Sequence, residues 1–122
     1  MEKHIEVMQM SVELSETILD GLKHIQKLLS EGKNEQTVFL FEDVLVAYET
    51  ITRTTETALS ELNNENILEF QVEFSKVADL VVNAYEEKNY PKVQEILQFN
   101  FIPKFKKLKG ELEEAFKPFL FS

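Results

Sequence analysis

The amino-acid sequence predicts an all-α protein, an up-down-up-down antiparallel four-helix bundle in which residues 1–122 form a single domain. Apolar residues recur at spacings of three and four over four long segments, and short breaks containing Gly, Asn or Pro separate these segments. Such short connections place successive helices antiparallel. Three Gly and three Pro in 122 residues are too few for the frequent tight turns of a β fold.

The first helix is predicted over residues 2–31, with the wide apolar face of a bundle helix. Gly32 ends it, because glycine readily takes the left-handed conformation that follows a helix C-terminus, and Asn34 is a suitable N-cap for the next helix. The main apolar row is Ile5, Met8, Val12, Leu19, Leu22 and Leu29, with Ile18, Ile25 and Leu28 beside it.

The second helix, predicted over residues 35–62, carries the most regular pattern in the chain. Alternating spacings of four and three favour antiparallel, coiled-coil-like packing. Five threonines between residues 50 and 57 favour a bend or fraying, since β-branched side chains lower helix propensity. The row is Thr37, Phe41, Val44, Tyr48, Ile51, Thr55, Ala58 and Leu62.

The third helix is predicted over residues 66–88 and the fourth over residues 91–117. The apolar spacing of the fourth helix keeps its phase across Pro103, which predicts one helix kinked at that proline. Pro118 is expected to end it near Phe116. The inward rows are Ile67, Phe70, Phe74, Val77, Val81 and Ala84 in the third helix, and Leu97, Phe101, Phe105, Leu108, Leu112, Ala115 and Phe119 in the fourth.

The charge and the chain ends exclude several classes of partner. Twenty-two acidic against thirteen basic residues give a net charge of −9, which disfavours nucleic acids and anionic membranes. The chain has no cysteine, hence no disulfide and no thiolate chemistry. No apolar stretch of about 18 residues and no signal-peptide pattern is present, so we expect a cytoplasmic protein.

The sequence predicts no catalytic, cofactor-binding or metal-binding residues. Di-iron bundles use Glu-x-x-His pairs, whereas His4 and His24 follow Met1 and Gly21 at that spacing. Glu13-x-x-Glu16 matches half of the magnesium motif of all-α nucleotide pyrophosphohydrolases, and the other half is missing. The alternative is an acidic metal-dependent bundle enzyme using Glu13, Glu16, Glu42 and Asp43.

Apolar residues outside the core rows predict a protein interaction surface. Phe39 and Val46 lie seven residues apart and point away from the inward row of the second helix, leaving an outer apolar face to cover. The aromatic C-terminal segment either folds back over the bundle end or docks onto another chain. The candidate surface is Phe39, Val46, Phe116, Phe119, Leu120 and Phe121.

Two segments resemble known helical proteins. Leu28-Leu29-Ser30-Glu31-Gly32-Lys33-Asn34 with the second helix resembles the hairpin of small flagellar export chaperones. Tyr90-Pro91-Lys92-Val93 with Ile96-Leu97 and Phe101-Ile102-Pro103 resembles small uncharacterised acidic helical-bundle proteins of Gram-positive bacteria. The chaperone resemblance implies binding of a partner helix by an apolar face.

We therefore expect a non-catalytic cytoplasmic protein that acts through protein contacts. The first expectation is self-association as a homodimer through the second helix, and the alternative is a chaperone or adaptor for a helical client. No cofactor, nucleic acid or membrane is expected as a partner.

Overall fold

A computed structural model describes residues 4–120 and has four helices packed antiparallel as a bundle, which confirms the predicted fold class. α1 packs against α2 and α5, and α3 packs against the same two helices, so that α2 and α5 lie diagonally across the bundle. The elements are α1 (Ile5–Ser30), α2 (Asn34–Glu61), α3 (Glu65–Glu86), and a fourth helix made of α4 (Tyr90–Ile96), a π-helical turn (Leu97–Phe101) and α5 (Ile102–Leu120).

Each of the three connections contains one residue with a left-handed backbone conformation. These residues are Gly32, Asn63 and Lys88, with φ of 77°, 55° and 57°. The residue after each donates its N–H to a carbonyl five residues back along the chain, at 2.9 Å, which satisfies the free end of the preceding helix. The connections are therefore closed by their own main-chain bonds and hold neighbouring helices antiparallel.

Asparagine side chains begin two of the helices. Asn64 Oδ1 accepts from the Ile67 N–H at 3.2 Å, and Asn89 Oδ1 accepts from the Lys92 N–H at 3.3 Å. The prediction that Asn34 caps α2 was wrong. Asn34 is already the first helical residue, and the N-cap position is taken by Lys33, whose side chain makes no capping hydrogen bond.

The kink in the fourth helix is a π-helical turn that directly precedes Pro103. The Ile102 N–H donates to the Leu97 carbonyl, five residues back, where an α-helix would use a spacing of four. Pro103 lacks an N–H and its ring crowds the carbonyl of Phe99, so that the backbone relieves the conflict in the preceding turn. The expected end near Phe116 was wrong: α5 runs to Leu120 with Pro118 inside its last turn. Pro118 has no N–H to donate to the carbonyl of Glu114, so the helix continues there without that hydrogen bond.

The buried rows match the predicted row closely in α2 and less closely elsewhere. In α2 the whole row is buried up to Ala58, and Leu59 replaces Leu62 at its end. In α3, Gln71 and Ala78 are buried where Phe70 and Val77 were expected. The interior rows of α1 and α5 are Met8, Ser11, Ser15, Ile18, Leu22, Ile25 and Leu29, and Phe101, Phe105, Leu108, Leu112 and Phe116.

Aromatic rings join three of the four helices at mid-bundle. Phe74 of α3 has its ring centroid 4.5 Å from that of Phe101, 4.7 Å from that of Tyr48 and 5.8 Å from that of Phe105. Phe41 of α2 extends the cluster towards Phe101 at 5.4 Å. The π-helical turn therefore places Phe101 at the centre of the core.

The threonines in the middle of α2 do not fray it. The helix is continuous from Asn34 to Glu61. Thr50, Thr52, Thr54 and Thr55 each donate a hydroxyl hydrogen bond to the carbonyl four residues back, which satisfies the side chain without breaking the main-chain ladder. Within residues 4–120 no helix is both long enough and apolar enough to cross a membrane.

Candidate functional site

The structure divides the predicted surface residues into three groups. Phe39 and Val46 of α2 are 71% and 64% exposed. Phe119 and Leu120 are half-buried and pack against the core, whereas Phe121 lies outside the described residues. Phe116 is fully buried, because a spacing of four after Leu112 brings it into the α5 row, so it leaves the candidate surface and belongs to the core.

Phe39 and Val46 form what we call the α2 ridge. They stand two turns apart, or about 10 Å along the axis, on the side of α2 opposite its buried row. Both side chains are among the large apolar residues that the bundle leaves exposed. The packing of the bundle therefore provides no cover for this ridge.

An apolar groove of about 210 Å³ follows the ridge on its α3 side. Val38 and Leu45 of α2 and Val82 of α3 form its apolar walls, while the carboxylates of Glu42 and Glu86 lie at its border. Its lining also includes Phe41 and Tyr85, both of them buried core residues. We call this the α2–α3 groove.

A second apolar groove, of about 170 Å³, follows the ridge on its α1 side. Gly21 makes room for it: a Cβ atom placed there would meet Val44 Cγ2 at 3.6 Å, an ordinary contact distance, and no side chain occupies the space beyond. This α1–α2 groove is lined by Thr17, Ile18, Gly21, His24, Leu40, Asp43, Val44 and Ala47.

We call the ridge and the two grooves on either side of it, which together involve three helices, the α2 surface. Its charged border is acidic. Glu35, Glu42, Asp43 and Glu49 are exposed on α2, and in the described part of the chain none of the four carboxylates is in an ion pair. His24 lines the α1–α2 groove, Arg53 is exposed on α2, and Lys33 Nζ lies 3.8 Å from Glu31 Oε1.

The residues considered as metal ligands do not form a cluster. Among residues 4–120 no group of three or more His, Asp or Glu side chains is placed to hold a metal ion. Glu13 and Glu16 are exposed on α1, and Glu16 Oε1 lies 4.0 Å from Lys109 Nζ of α5. Glu42 and Asp43 border the two different grooves on either side of the ridge.

Sequence reasoning missed four further exposed apolar residues. Phe99 of the π-helical turn and Val72 of α3 are 67% and 62% exposed, and Met10 and Leu80 are about half exposed. Phe99 lies outside the predicted inward row of the fourth helix, and this position in the sequence could have predicted its exposure. None of these four residues lies on α2, which carries the ridge. They serve below as matched controls for the ridge.

Comparison with known proteins places the chain by family. Residues 6–111, most of the chain, match the family described as a domain of unknown function (DUF8042). No curated protein and no solved structure matches the chain significantly.

Proposed function

We propose that this chain, which belongs to the DUF8042 family, is a protein-interaction module that binds a helix across the α2 surface and has no active site of its own. One observation carries the proposal: Phe39 and Val46 stand exposed between two apolar grooves. Covering two such side chains contributes about 2–4 kcal/mol to binding, and the apolar walls of the grooves add to it. Large apolar side chains left exposed on one face beside apolar grooves favour an interaction site.

The shape of the surface favours a helix as its occupant. Helices pack with the ridges of one helix in the grooves of the other. A partner helix would place side chains in the two grooves of this surface, and Phe39 and Val46 would enter a groove of the partner helix. Helix-in-groove recognition uses apolar anchors at spacings of three, four and seven residues. The seven-residue separation of Phe39 and Val46 matches the last of these spacings.

Two kinds of helix meet this requirement. One is α2 of a second copy, which gives the homodimer that the sequence pattern favours and an isologous contact. The other is a helix of a different protein, for which this chain acts as a chaperone or adaptor. Both kinds of helix would bind through the same residues, and the molar mass in solution distinguishes a homodimer from a chain that is free to bind another protein.

The proposal is tested with two variants of matched composition. Phe39→Ser/Val46→Ser removes the ridge without adding charge, and Phe99→Ser/Val72→Ser removes equally exposed residues elsewhere. Molar mass is measured by light scattering over a wide range of protein concentration, and binding of an amphipathic helical peptide by fluorescence anisotropy. We expect the wild-type chain to form either a dimer of twice 14.2 kDa or a complex with the peptide. The ridge variant should lose this association, and the control variant should keep it.

A wild-type chain that stays monomeric at all concentrations and binds no helical peptide would overturn the proposal. Equal losses in both variants would overturn it as well, since the α2 surface would then have no special role.

A further inference from the structure

We infer that the helix accepted by the α2 surface belongs to another protein and carries Lys or Arg on both sides of its apolar stripe. The inference rests on the proposed function and names the partner of the same site. Its evidence is the arrangement of charge around the ridge.

Carboxylates border the α2 surface on both sides of the ridge. Glu42 of α2 and Glu86 of α3 line the α2–α3 groove, and Asp43 lines the α1–α2 groove. Glu35 and Glu49 are exposed on α2, each about two turns from Glu42, one before it and one after it along the axis. An occupant therefore meets negative charge along both of its flanks.

The bases near the surface do not neutralise its centre. Arg53 lies on α2 two turns beyond Val46, and Lys33 lies before the start of α2, beside Glu31. His24 borders the α1–α2 groove from α1. Glu42 lies between Phe39 and Val46 in the sequence with no described ion pair, so the middle of the surface is anionic.

A second copy fits this charge pattern poorly. In an antiparallel pair that sets Phe39 against Val46 of the second copy, Glu42 falls opposite Asp43 of the second copy, and four carboxylates meet at the two-fold axis. A parallel pair sets each of these residues against itself. Both arrangements oppose like charges, and each copy carries a net charge of −9.

A helix with basic flanks satisfies both parts of the surface. Its apolar stripe covers the ridge and the grooves, and the long aliphatic stems of Lys or Arg pack over the groove walls Val38, Leu45 and Val82. Their charged heads then reach the carboxylates of Glu42, Asp43 and Glu86 at the border. The same complementarity accelerates encounter at low ionic strength.

The test compares three synthetic helical peptides. The first has Leu at alternating spacings of three and four with Lys on both flanks, the second replaces every Lys by Glu, and the third scrambles the order of the first. Affinities are measured by fluorescence anisotropy at low and at physiological salt. We expect the Lys peptide to bind at least about tenfold more tightly than the other two. This ratio of affinities should decrease as the salt concentration rises.

Two charge variants of the protein provide the matched control. Glu42→Gln/Asp43→Asn removes two carboxylates from the α2 surface, and Glu111→Gln/Glu114→Gln removes two from α5, diagonally across the bundle. We expect the first to weaken binding of the Lys peptide severalfold and the second to leave it nearly unchanged. Equal weakening would show attraction by net charge alone and overturn the inference.

Further outcomes separate the inference from the proposed function. If the Glu peptide binds as tightly as the Lys peptide and both are lost in Phe39→Ser/Val46→Ser, the surface binds helices without the charge preference, and the inference alone is wrong. A ridge-dependent dimer that binds neither peptide makes a second copy the occupant, again against the inference. A monomer that binds no peptide removes the proposed function itself.

Discussion

The hydroxyl of Tyr85 in α3 donates a hydrogen bond to Thr37 Oγ1 in α2, with 2.9 Å between the oxygens. Tyr85 also lines the α2–α3 groove, so this buried bond fixes the helix pair beneath one half of the α2 surface. Tyr48 of α2 makes a second bridge to α3: its hydroxyl donates to the main-chain carbonyl of Gln71 at 3.2 Å. The groove is thus held by polar bonds as well as by packing.

These two tyrosines predict a loss of stability in alkaline solution. Burial is the main cause that raises the pKa of Tyr48 and of Tyr85 above the ordinary value of 10.0. Above pH 10 the unfolded chain therefore loses tyrosine protons that the folded chain keeps, and the free energy of unfolding falls as pH rises towards the folded pKa. Urea unfolding between neutral pH and pH about 11 measures the fall.

A variant that lacks one of the two hydroxyls identifies the tyrosine contribution. Tyr85→Phe removes one of the two ionisable hydroxyls and should make the decline shallower. Identical pH profiles in wild type and Tyr85→Phe would contradict the explanation.

Gln71 is expected to be a site where a substitution stabilises the fold. It is buried in α3, and its side-chain Nε2 has no hydrogen-bond partner among the described residues. Replacement by Leu, of similar volume, removes that unsatisfied donor and should raise the free energy of unfolding by about 1 kcal/mol. The bond from Tyr48 is kept, since it uses the main-chain carbonyl.

Chemical denaturation of Gln71→Leu, with Gln94→Leu at a half-exposed position as control, checks the prediction. A decrease in stability for Gln71→Leu would mean that its amide finds a partner in solution.

Two glycines predict opposite effects of the same substitution. Gly110 lies inside α5 with open space around it, so Ala should raise the free energy of unfolding by about 0.5–1 kcal/mol through helix propensity. Gly32 has a φ of 77°, a conformation in which a Cβ is strained. Ala at this position should therefore lower the free energy of unfolding by about 1 kcal/mol or more. Thermal unfolding of the two variants measures both effects. A change in stability of the same sign in both variants would contradict the prediction.

The sequence predicts the fold well wherever spacing alone determines the outcome. The α2 row was correct through seven residues, from Thr37 to Ala58, because its pattern of four and three leaves one inward face. In α3 the ranking by hydrophobicity chose Phe70 over Gln71. The structure leaves Phe70 half-buried, with Lys107 Nζ 5.6 Å from its ring centroid, and such cover from a neighbouring helix leaves no trace in local sequence.

The candidate site was predictable in part for the same reason. Exposure of Phe39 and Val46 follows from their phase relative to the α2 row. The grooves beside them depend on Gly21 of α1 and Val82 of α3, which only the packing of three helices brings to the ridge. Likewise Pro103 predicts a kink, while only the structure shows that the kink takes the form of a π-helical turn from Leu97 to Phe101.

A fluorescent probe on the ridge tests the central claim most directly. The chain has no cysteine, so Val46→Cys and Val72→Cys each allow attachment of one environment-sensitive dye at similarly exposed positions. On titration with the Lys-flanked peptide, the account predicts a blue shift and protection from quencher at residue 46 and little change at residue 72. An equal or larger response at residue 72, or none at residue 46, would contradict binding of a helix with basic flanks at the α2 surface.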